Sequence, residues 1–126
     1  MPPTMTDTWI LITGCRFWQP TEQMKKLFEE EKPTLVIQGM CTGVDAVADV
    51  VATGMGIKVH REYPDWRRYG KRAGPMRNAA MIKVLQTHPG RKIVYAFHQD
   101  LSKSRGTKDC MRKAELEGLE VRLIQE

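Results

Sequence analysis

Three cationic side chains lie beside glycine and proline near the middle of the sequence. Lys71 and Arg72 precede the pair Gly74-Pro75, and Arg77 follows it. Proline suits the first turn of a helix and apolar residues recur at helical spacing after it, so the sequence predicts a helix that begins at this pair. A helix start already carries partial positive charge, and further cations there repel one another unless an anion binds. A solvated basic turn is the alternative, and the sequence leaves both open.

Three other short segments, 13–16, 39–45 and 104–107, place glycine beside a hydroxyl group or a cation just before a predicted helix. Glycine lets the backbone approach a ligand, while helix N–H groups and hydroxyl groups bind phosphate oxygens. We therefore expect a phosphate-bearing ligand where these turns meet. The candidate ligand-binding or phosphate-binding residues are Gly14, Cys15, Arg16, Gly39, Gly43, Asp45, Lys71, Gly74, Arg77, Asn78, Ser104, Gly106 and Thr107.

Two of these candidates have a second interpretation. Arg77 could clamp a phosphate, since a guanidinium group makes bidentate contacts, or it could bridge its helix to a loop carboxylate. Asp45 could contact a ribose hydroxyl, or it could cap the turn that precedes it. The sequence does not decide between the two roles of Arg77 or between the two roles of Asp45.

The segments that must position these residues alternate between two patterns. Apolar runs with the composition of strands occur at 9–13, 34–38, 57–61, 92–97 and 120–124. The segments between these runs have apolar residues at helical spacing, except for 62–73, which has no periodic pattern. This alternation predicts an α/β fold: a single Rossmann-like domain of three layers around a mostly parallel five-stranded sheet. With strand order 3-2-1-4-5 and the third strand at an edge, the glycine turns meet outside the first and fourth strands.

The chain of 126 residues suits one domain, which we place at 9–126 after a flexible lead-in at 1–8. We find no apolar run of membrane-spanning length and no secretory signal pattern, so we expect no membrane association. The three cysteines form no C-x-x-C pair, so the sequence indicates neither a disulfide framework nor a metal site. Free cysteines are typical of a reducing compartment, and we therefore expect a cytoplasmic protein. The formal net charge of +5 favours anionic partners.

Two common nucleotide-binding motifs are missing from the expected places. The sequence has no G-x-G-x-x-G after the first strand and no G-x-x-x-x-G-K-[ST]. A dehydrogenase and an ATPase are therefore disfavoured, and we assign no cofactor.

Several motifs, taken in order over about 9–124, resemble the YspA/cpYpsA-related branch of the SLOG superfamily. The most specific is the block Gly-Lys-x-Ala-Gly-Pro-x-Arg-Asn at 70–78. The others are at 13–16, 38–45, 63–66, 96–97 and 104–107. The resemblance implies a Rossmann-like fold. The superfamily includes LOG phosphoribohydrolases, the DNA-processing protein DprA and domains proposed to bind nucleotide-derived signals, so its fold transfers better than its function.

The LOG branch uses an arginine in Arg-x-x-x-Met and a glutamate in Gly-Thr-x-x-Glu. Arg77 and Met81 match the first motif, whereas Cys110 stands at the glutamate position of the second. Asp109 is the neighbouring carboxylate, so Arg77 and Asp109 are the candidate catalytic residues if the chain is a hydrolase. LOG-like relatives often pair, which implies a homodimer by resemblance.

The sequence thus leaves three hypotheses. The preferred one is binding or sensing of a nucleotide or nucleotide-sugar ligand resembling ADP-ribose, without catalysis. The first alternative is a LOG-like nucleoside 5′-monophosphate phosphoribohydrolase. The second is DprA-like binding of single-stranded nucleic acid through the basic stretch 67–72 with Trp66 and Tyr69, although these aromatic residues could instead pack under the loop.

Overall fold

A computed structural model describes residues 4–125 of the chain. Its centre is a sheet of five strands, all paired in parallel: β1 (Thr8–Gly14), β2 (Leu35–Gln38), β3 (Lys58–Arg61), β4 (Arg91–Phe97) and β5 (Glu120–Ile124). The strand order is β3-β2-β1-β4-β5. The predicted α/β class, the strand order and the edge position of β3 are confirmed.

Helices connect successive strands and cover both faces of the sheet. They are α1 (Thr21–Glu31), α2 (Val44–Gly54), α3 (Trp66–Tyr69), α4 (Ala73–Gln86) and α5 (Arg105–Leu116). Two short 3₁₀ turns, Gly70–Arg72 and Leu101–Lys103, precede α4 and α5. Within residues 4–125, no helix combines the length and apolarity that a bilayer crossing requires.

Alternate side chains of the central strand divide the core in two. Ile10 and Ile12 of β1 pack in a cluster with residues of α1 and α2, and Leu11 packs with residues of α4 and α5. All three side chains are fully buried. Because a strand buried on both faces must be apolar at every position, the continuous apolar run in the sequence follows from the three-layer architecture.

The two central strands end together, and this brings the first glycine turn against β4. Gly14 is the register partner of Phe97, and the N–H of Cys15 donates to the Phe97 carbonyl at 2.9 Å. A Cβ atom on Gly14 would lie only 2.3 Å from that carbonyl oxygen. Gly14 is therefore required for close packing at the point where the strand order reverses.

The segment 62–73, predicted to lack regular structure, contains α3 and a 3₁₀ turn. The Asp65 carboxylate caps α3 by accepting the N–H of Arg68 at 3.1 Å. A helix of four residues is too short to leave a periodic pattern in the sequence, so the prediction of an irregular segment is wrong.

The same segment changes how α4 begins. The helix starts at Ala73, whose N–H donates to the Gly70 carbonyl of the preceding 3₁₀ turn. Pro75 lies inside the first turn, where proline is tolerated. The helix thus begins one residue before the predicted pair, but the expectation of free N–H groups at its start is wrong, because the chain enters α4 already in helical conformation.

The predicted lead-in falls only partly within the described residues, since 1–3 lie outside them. Asp7 and Thr8 contact the domain: the Asp7 carbonyl lies 2.8 Å from His88 Nε2, and Thr8 begins β1. The domain boundary at residue 9 stays a prediction.

We expect Leu11→Ala to lower the free energy of unfolding by about 2–5 kcal/mol, because it leaves a cavity in the central strand. Chemical denaturation followed by circular dichroism measures this loss. Leu116→Ala is the matched control, since that side chain is 75% exposed, and we expect a change within about 0.5 kcal/mol. Equal effects of the two substitutions would contradict the assignment of Leu11 to the core.

Candidate functional site

A cavity of about 660 Å³ lies at the carboxyl edge of the sheet, outside β1 and β4. The turns after β1 and β2, the loop after β4 and the first turn of α5 form its walls. Eight of the sequence-predicted candidates line it: Gly14, Cys15, Arg16, Asp45, Arg77, Ser104, Gly106 and Thr107. The structure thus brings the three predicted glycine turns together.

Gly43 does not line the cavity but joins two of its walls. It adopts a positive φ of 73°, and a Cβ atom there would lie 2.4 Å from the Arg16 carbonyl oxygen. The next residue, Val44, donates its N–H to the Cys15 carbonyl at 3.0 Å. The turns after β1 and β2 therefore lie in direct backbone contact, and only glycine fits between them.

Arg77 fixes the position of the turn after β2. Its Nη1 donates to the Gly39 carbonyl at 2.9 Å and to Cys41 Sγ at 3.1 Å, and its Nε donates to Asn78 Oδ1 at 3.2 Å. Gly39 lies under this side chain, because a Cβ atom there would be 2.6 Å from Arg77 Cδ. Arg77 thus bridges α4 to a loop carbonyl rather than to a loop carboxylate, while still lining the cavity.

Asn78 makes the corresponding connection to α5. Its side-chain nitrogen donates to the Gly106 carbonyl at 3.2 Å and to Asp109 Oδ2 at 3.0 Å. Asn78 is buried and does not line the cavity. Its role in the described structure is to hold the first turn of α5 against α4.

Asp109, the candidate catalytic carboxylate, lies outside the cavity. It forms ion pairs with Lys113 at 2.6 Å and Arg112 at 3.2 Å. Burial alone would raise its pKa, but the hydrogen bonds from Lys113 and Asn78 hold the pKa below its ordinary value. The structure therefore does not bring Asp109 and Arg77 together as a catalytic pair at the cavity.

Lys71 and Gly74 also lie away from the cavity. Lys71 is exposed on the 3₁₀ turn, and Gly74 is buried beside Trp66, whose ring would be 3.4 Å from a Cβ atom at that glycine. Because α4 has no free start at this point, the anion-binding argument for Lys71 and Gly74 loses its geometric basis.

Asp45 is the buried carboxyl group of the cavity, at only 5% exposure. Its Oδ2 accepts the N–H of Cys41 at 3.2 Å, whereas Oδ1 has no hydrogen-bond partner among the described residues. Burial raises its pKa to about 6, against the opposing effects of the Cys41 N–H, the Arg77 charge and the Gly39 N–H. At neutral pH the carboxyl is mainly ionised, so the cavity wall contains a buried negative charge with one unpaired oxygen.

The cavity carries more positive than negative charge. The cationic side chains lining it are Arg16, Arg77, Lys103 and Arg105, and the carboxylates are Asp45 and Asp100. The first turn of α5 adds the positive end of a 12-residue helix. Ser104 caps this helix, because its Oγ accepts the Thr107 N–H at 3.0 Å. The arrangement suits a ligand with negative charge near α5 and hydrogen-bond donors near Asp45.

The sequence did not single out several lining residues in the loop after β4. His98 Nδ1 accepts the N–H of Asp100 at 3.0 Å, and burial lowers the pKa of this histidine, so it stays a neutral acceptor. Asp100 in turn accepts the Ser102 hydroxyl at 2.6 Å. The sequence shows that this loop is polar. It does not show which hydrogen bonds the loop makes, because these bonds join residues only two positions apart and follow no recognisable motif.

The three cysteines differ in their surroundings. Cys15 and Cys41 line the cavity, whereas Cys110 is buried and its pKa is raised to about 12 by burial, with an opposing hydrogen bond from Thr13. Cys110 is therefore an unreactive thiol. Among residues 4–125, no group of three or more histidine, cysteine or acidic side chains is placed to hold a metal ion.

We expect the Asp45 carboxyl to make stability depend on pH. Its folded-state pKa of about 6 exceeds the ordinary 3.8, so the native state binds this proton more tightly than the unfolded chain does. Its contribution to stability is full below about pH 4 and is lost as the pH rises through about 6. Between about pH 4 and pH 8, the wild-type protein should lose about 2–3 kcal/mol of unfolding free energy relative to Asp45→Asn.

Urea denaturation at a series of pH values measures this difference. Glu115→Gln, which removes an exposed carboxylate from α5, is the control and should follow the wild-type pH dependence. Parallel curves for wild type and Asp45→Asn would contradict a buried, titrating Asp45.

Comparison with solved structures identifies the fold. DNA processing protein A (DprA) from Streptococcus pneumoniae superposes with a TM-score of 0.71 at 15% sequence identity, over 97% of this chain and 52% of that chain. The chain thus spans about half the length of that protein. At this identity the likeness concerns the fold, which is a Rossmann-like fold of the DprA type.

Comparison of sequences identifies the family. No family model matches the chain. The Gene 61 protein of Mycobacterium phage D29 is 34% identical over 122 residues, which cover 89% of this chain and 92% of that protein. The chain therefore belongs to the same family as the Gene 61 protein of Mycobacterium phage D29.

Proposed function

We propose that the cavity binds a phosphorylated, nucleotide-derived ligand, such as a nucleotide or a nucleotide-sugar resembling ADP-ribose. The observation that carries this proposal is the convergence of four cationic side chains and the start of α5 at one cavity, beside the buried carboxyl of Asp45 with its unpaired Oδ1. A buried acceptor without a donor destabilises the protein by about 1–3 kcal/mol. A ligand hydroxyl at Oδ1 would remove that cost, and ribose hydroxyls are donors of this kind.

The wall formed by the start of α5 and the turn after β1 suits the phosphate. Arg105 begins α5, Lys103 precedes it, and Arg16 extends from the turn after β1. Exposed cations near a helix start attract an anion, and arginine binds phosphate oxygens through two parallel hydrogen bonds. A ligand that joins a phosphate to a ribose would therefore find complementary groups at both walls. The position outside the carboxyl ends of β1 and β4 is where ligands bind in open α/β sheets.

The remaining family and assembly hypotheses stay proposals. The block at 70–78 supports membership of the YspA-related branch of the SLOG superfamily, and LOG relatives suggest a homodimer. The phosphoribohydrolase alternative has weaker support, because hydrolysis of an N-glycosidic bond needs a carboxylate at the sugar and Asp109 lies outside the cavity.

We expect calorimetric titration with ADP-ribose or AMP to detect binding to the wild-type protein. Arg105→Ala should weaken this binding by about 10-fold or more, since a hydrogen bond to a charged group contributes about 1.5–3 kcal/mol. Arg112→Ala is the matched control. It removes the same charge from the same helix, but Arg112 does not line the cavity, and affinity should stay within about twofold. No heat of binding with either compound at about 1 mM would contradict the proposal.

A second candidate function is binding of single-stranded nucleic acid at a different surface. Tyr63 and Trp66 are 66% and 49% exposed, and Arg67, Arg68 and Lys71 are exposed close to them. Exposed aromatic and cationic side chains together stack on bases and contact phosphates. The fold likeness to a protein named for DNA processing supports this candidate.

For this second candidate, we expect the affinity for a single-stranded oligonucleotide to fall steeply with salt concentration. Replacing Arg67 and Lys71 by alanine should weaken binding and reduce the slope of log affinity against log salt by about 1–2. The control replaces Lys25 and Lys26 of α1, a helix that packs in the cluster of the opposite face, and removes the same charge. Equal loss in both variants would indicate only a general effect of net charge.

A further inference from the structure

Phe17 is the most exposed large apolar side chain of the cavity wall. It is 88% exposed and lines the cavity beside Arg16. An aromatic side chain in water gains free energy when another apolar or aromatic surface covers it. Scattered exposed apolar residues are common in proteins, so the exposure alone does not indicate a role. The way in which the chain holds Phe17 at this position is more informative.

The residues on both sides of Phe17 are fixed. The Arg16 carbonyl accepts the Thr42 hydroxyl at 3.3 Å and packs against Gly43. Trp18 is 9% exposed and packs against Phe97, with ring centroids 6.1 Å apart. The N–H of Phe17 itself donates to Cys15 Sγ at 3.3 Å. The backbone on either side thus anchors the turn while the Phe17 ring remains in solvent at the cavity.

The groups of the cavity divide into three kinds. Cations and the α5 start suit phosphate, the unpaired Asp45 oxygen suits a hydroxyl donor, and Phe17 offers an aromatic face. We propose that Phe17 stacks on the base of the ligand, so that the site selects a phosphorylated compound carrying an aromatic base over the sugar phosphate alone. This inference rests on the proposed function of the cavity. Every base has a π face, so Phe17 would confer a preference for bases without selecting one base.

Calorimetric titration of the full chain with AMP and with ribose 5-phosphate tests this inference, because the two probes differ by the base. We expect the wild-type protein to bind AMP more tightly. Phe17→Ala should weaken AMP binding by about 5- to 100-fold and leave ribose 5-phosphate binding unchanged, whereas Phe17→Trp should retain AMP affinity. Leu116→Ala, which removes another strongly exposed apolar side chain, at 75% exposure, from the far end of α5, should change neither affinity.

The outcomes separate the two proposals. Equal wild-type affinity for both probes, or AMP binding that Phe17→Ala leaves unchanged, would overturn the stacking role while the cavity still binds phosphorylated ligands. Failure of the wild-type protein to bind AMP, ribose 5-phosphate and ADP-ribose would overturn the proposed function and the stacking role together. Since Phe17 is exposed, its replacement should leave the fold intact, which circular dichroism checks.

Discussion

The arrangement of the cavity depends on two consecutive side chains of α4. Arg77 donates to the carbonyl of Gly39 in the turn after β2, and Asn78 donates to the carbonyl of Gly106 in the first turn of α5. Main-chain carbonyls at such turns need donors when they are buried, so one helix satisfies groups from two neighbouring segments. The absence of a side chain at Gly39 lets the Arg77 stem lie against the turn. The walls of the cavity are thereby held at a fixed separation.

This scaffold leaves one polar group without a partner. The N–H groups of Cys41 and Gly39, in the turn held by Arg77, favour the charged form of Asp45, but its Oδ1 oxygen lies within hydrogen-bond distance of no donor among the described residues. A buried carboxylate that is not fully paired costs stability, and such groups occur at functional sites as well as in structural networks. The Asp45 acceptor and the cations near α5 together give the cavity two chemically distinct ends.

The fold was predictable because its signals are strong and local. Apolar runs such as 9–13 belong to strands buried on both faces, and β1 had to end in glycine because any side chain at Gly14 would meet β4. The convergence of three turns followed from the strand order. The mistakes came from structure that sequence patterns do not encode: α3 is too short to show periodicity, and its continuation into α4 removes the free helix start assumed for Lys71.

Side-chain partners were the least predictable feature of the site. The block at 70–78 drew attention to Arg77 and Asn78, but which carbonyls they meet depends on residues 28 and 38 positions away in the chain. Asp109 was considered as a substitute carboxylate by its position next to Cys110, yet it lies outside the cavity and pairs with the lysine one helical turn later. Phe17 directly follows the predicted turn at 13–16 and matches no sequence pattern for ligand binding.

The most direct measurement is nuclear magnetic resonance of the ¹⁵N-labelled protein titrated with ADP-ribose, because the amide shifts report where a ligand lies. We expect the shifts that change most to belong to 13–17, 41–45 and 98–107, the segments that form the walls of the cavity. An absence of shift changes in these segments, or changes confined to 63–72, would contradict the cavity as the ligand-binding site.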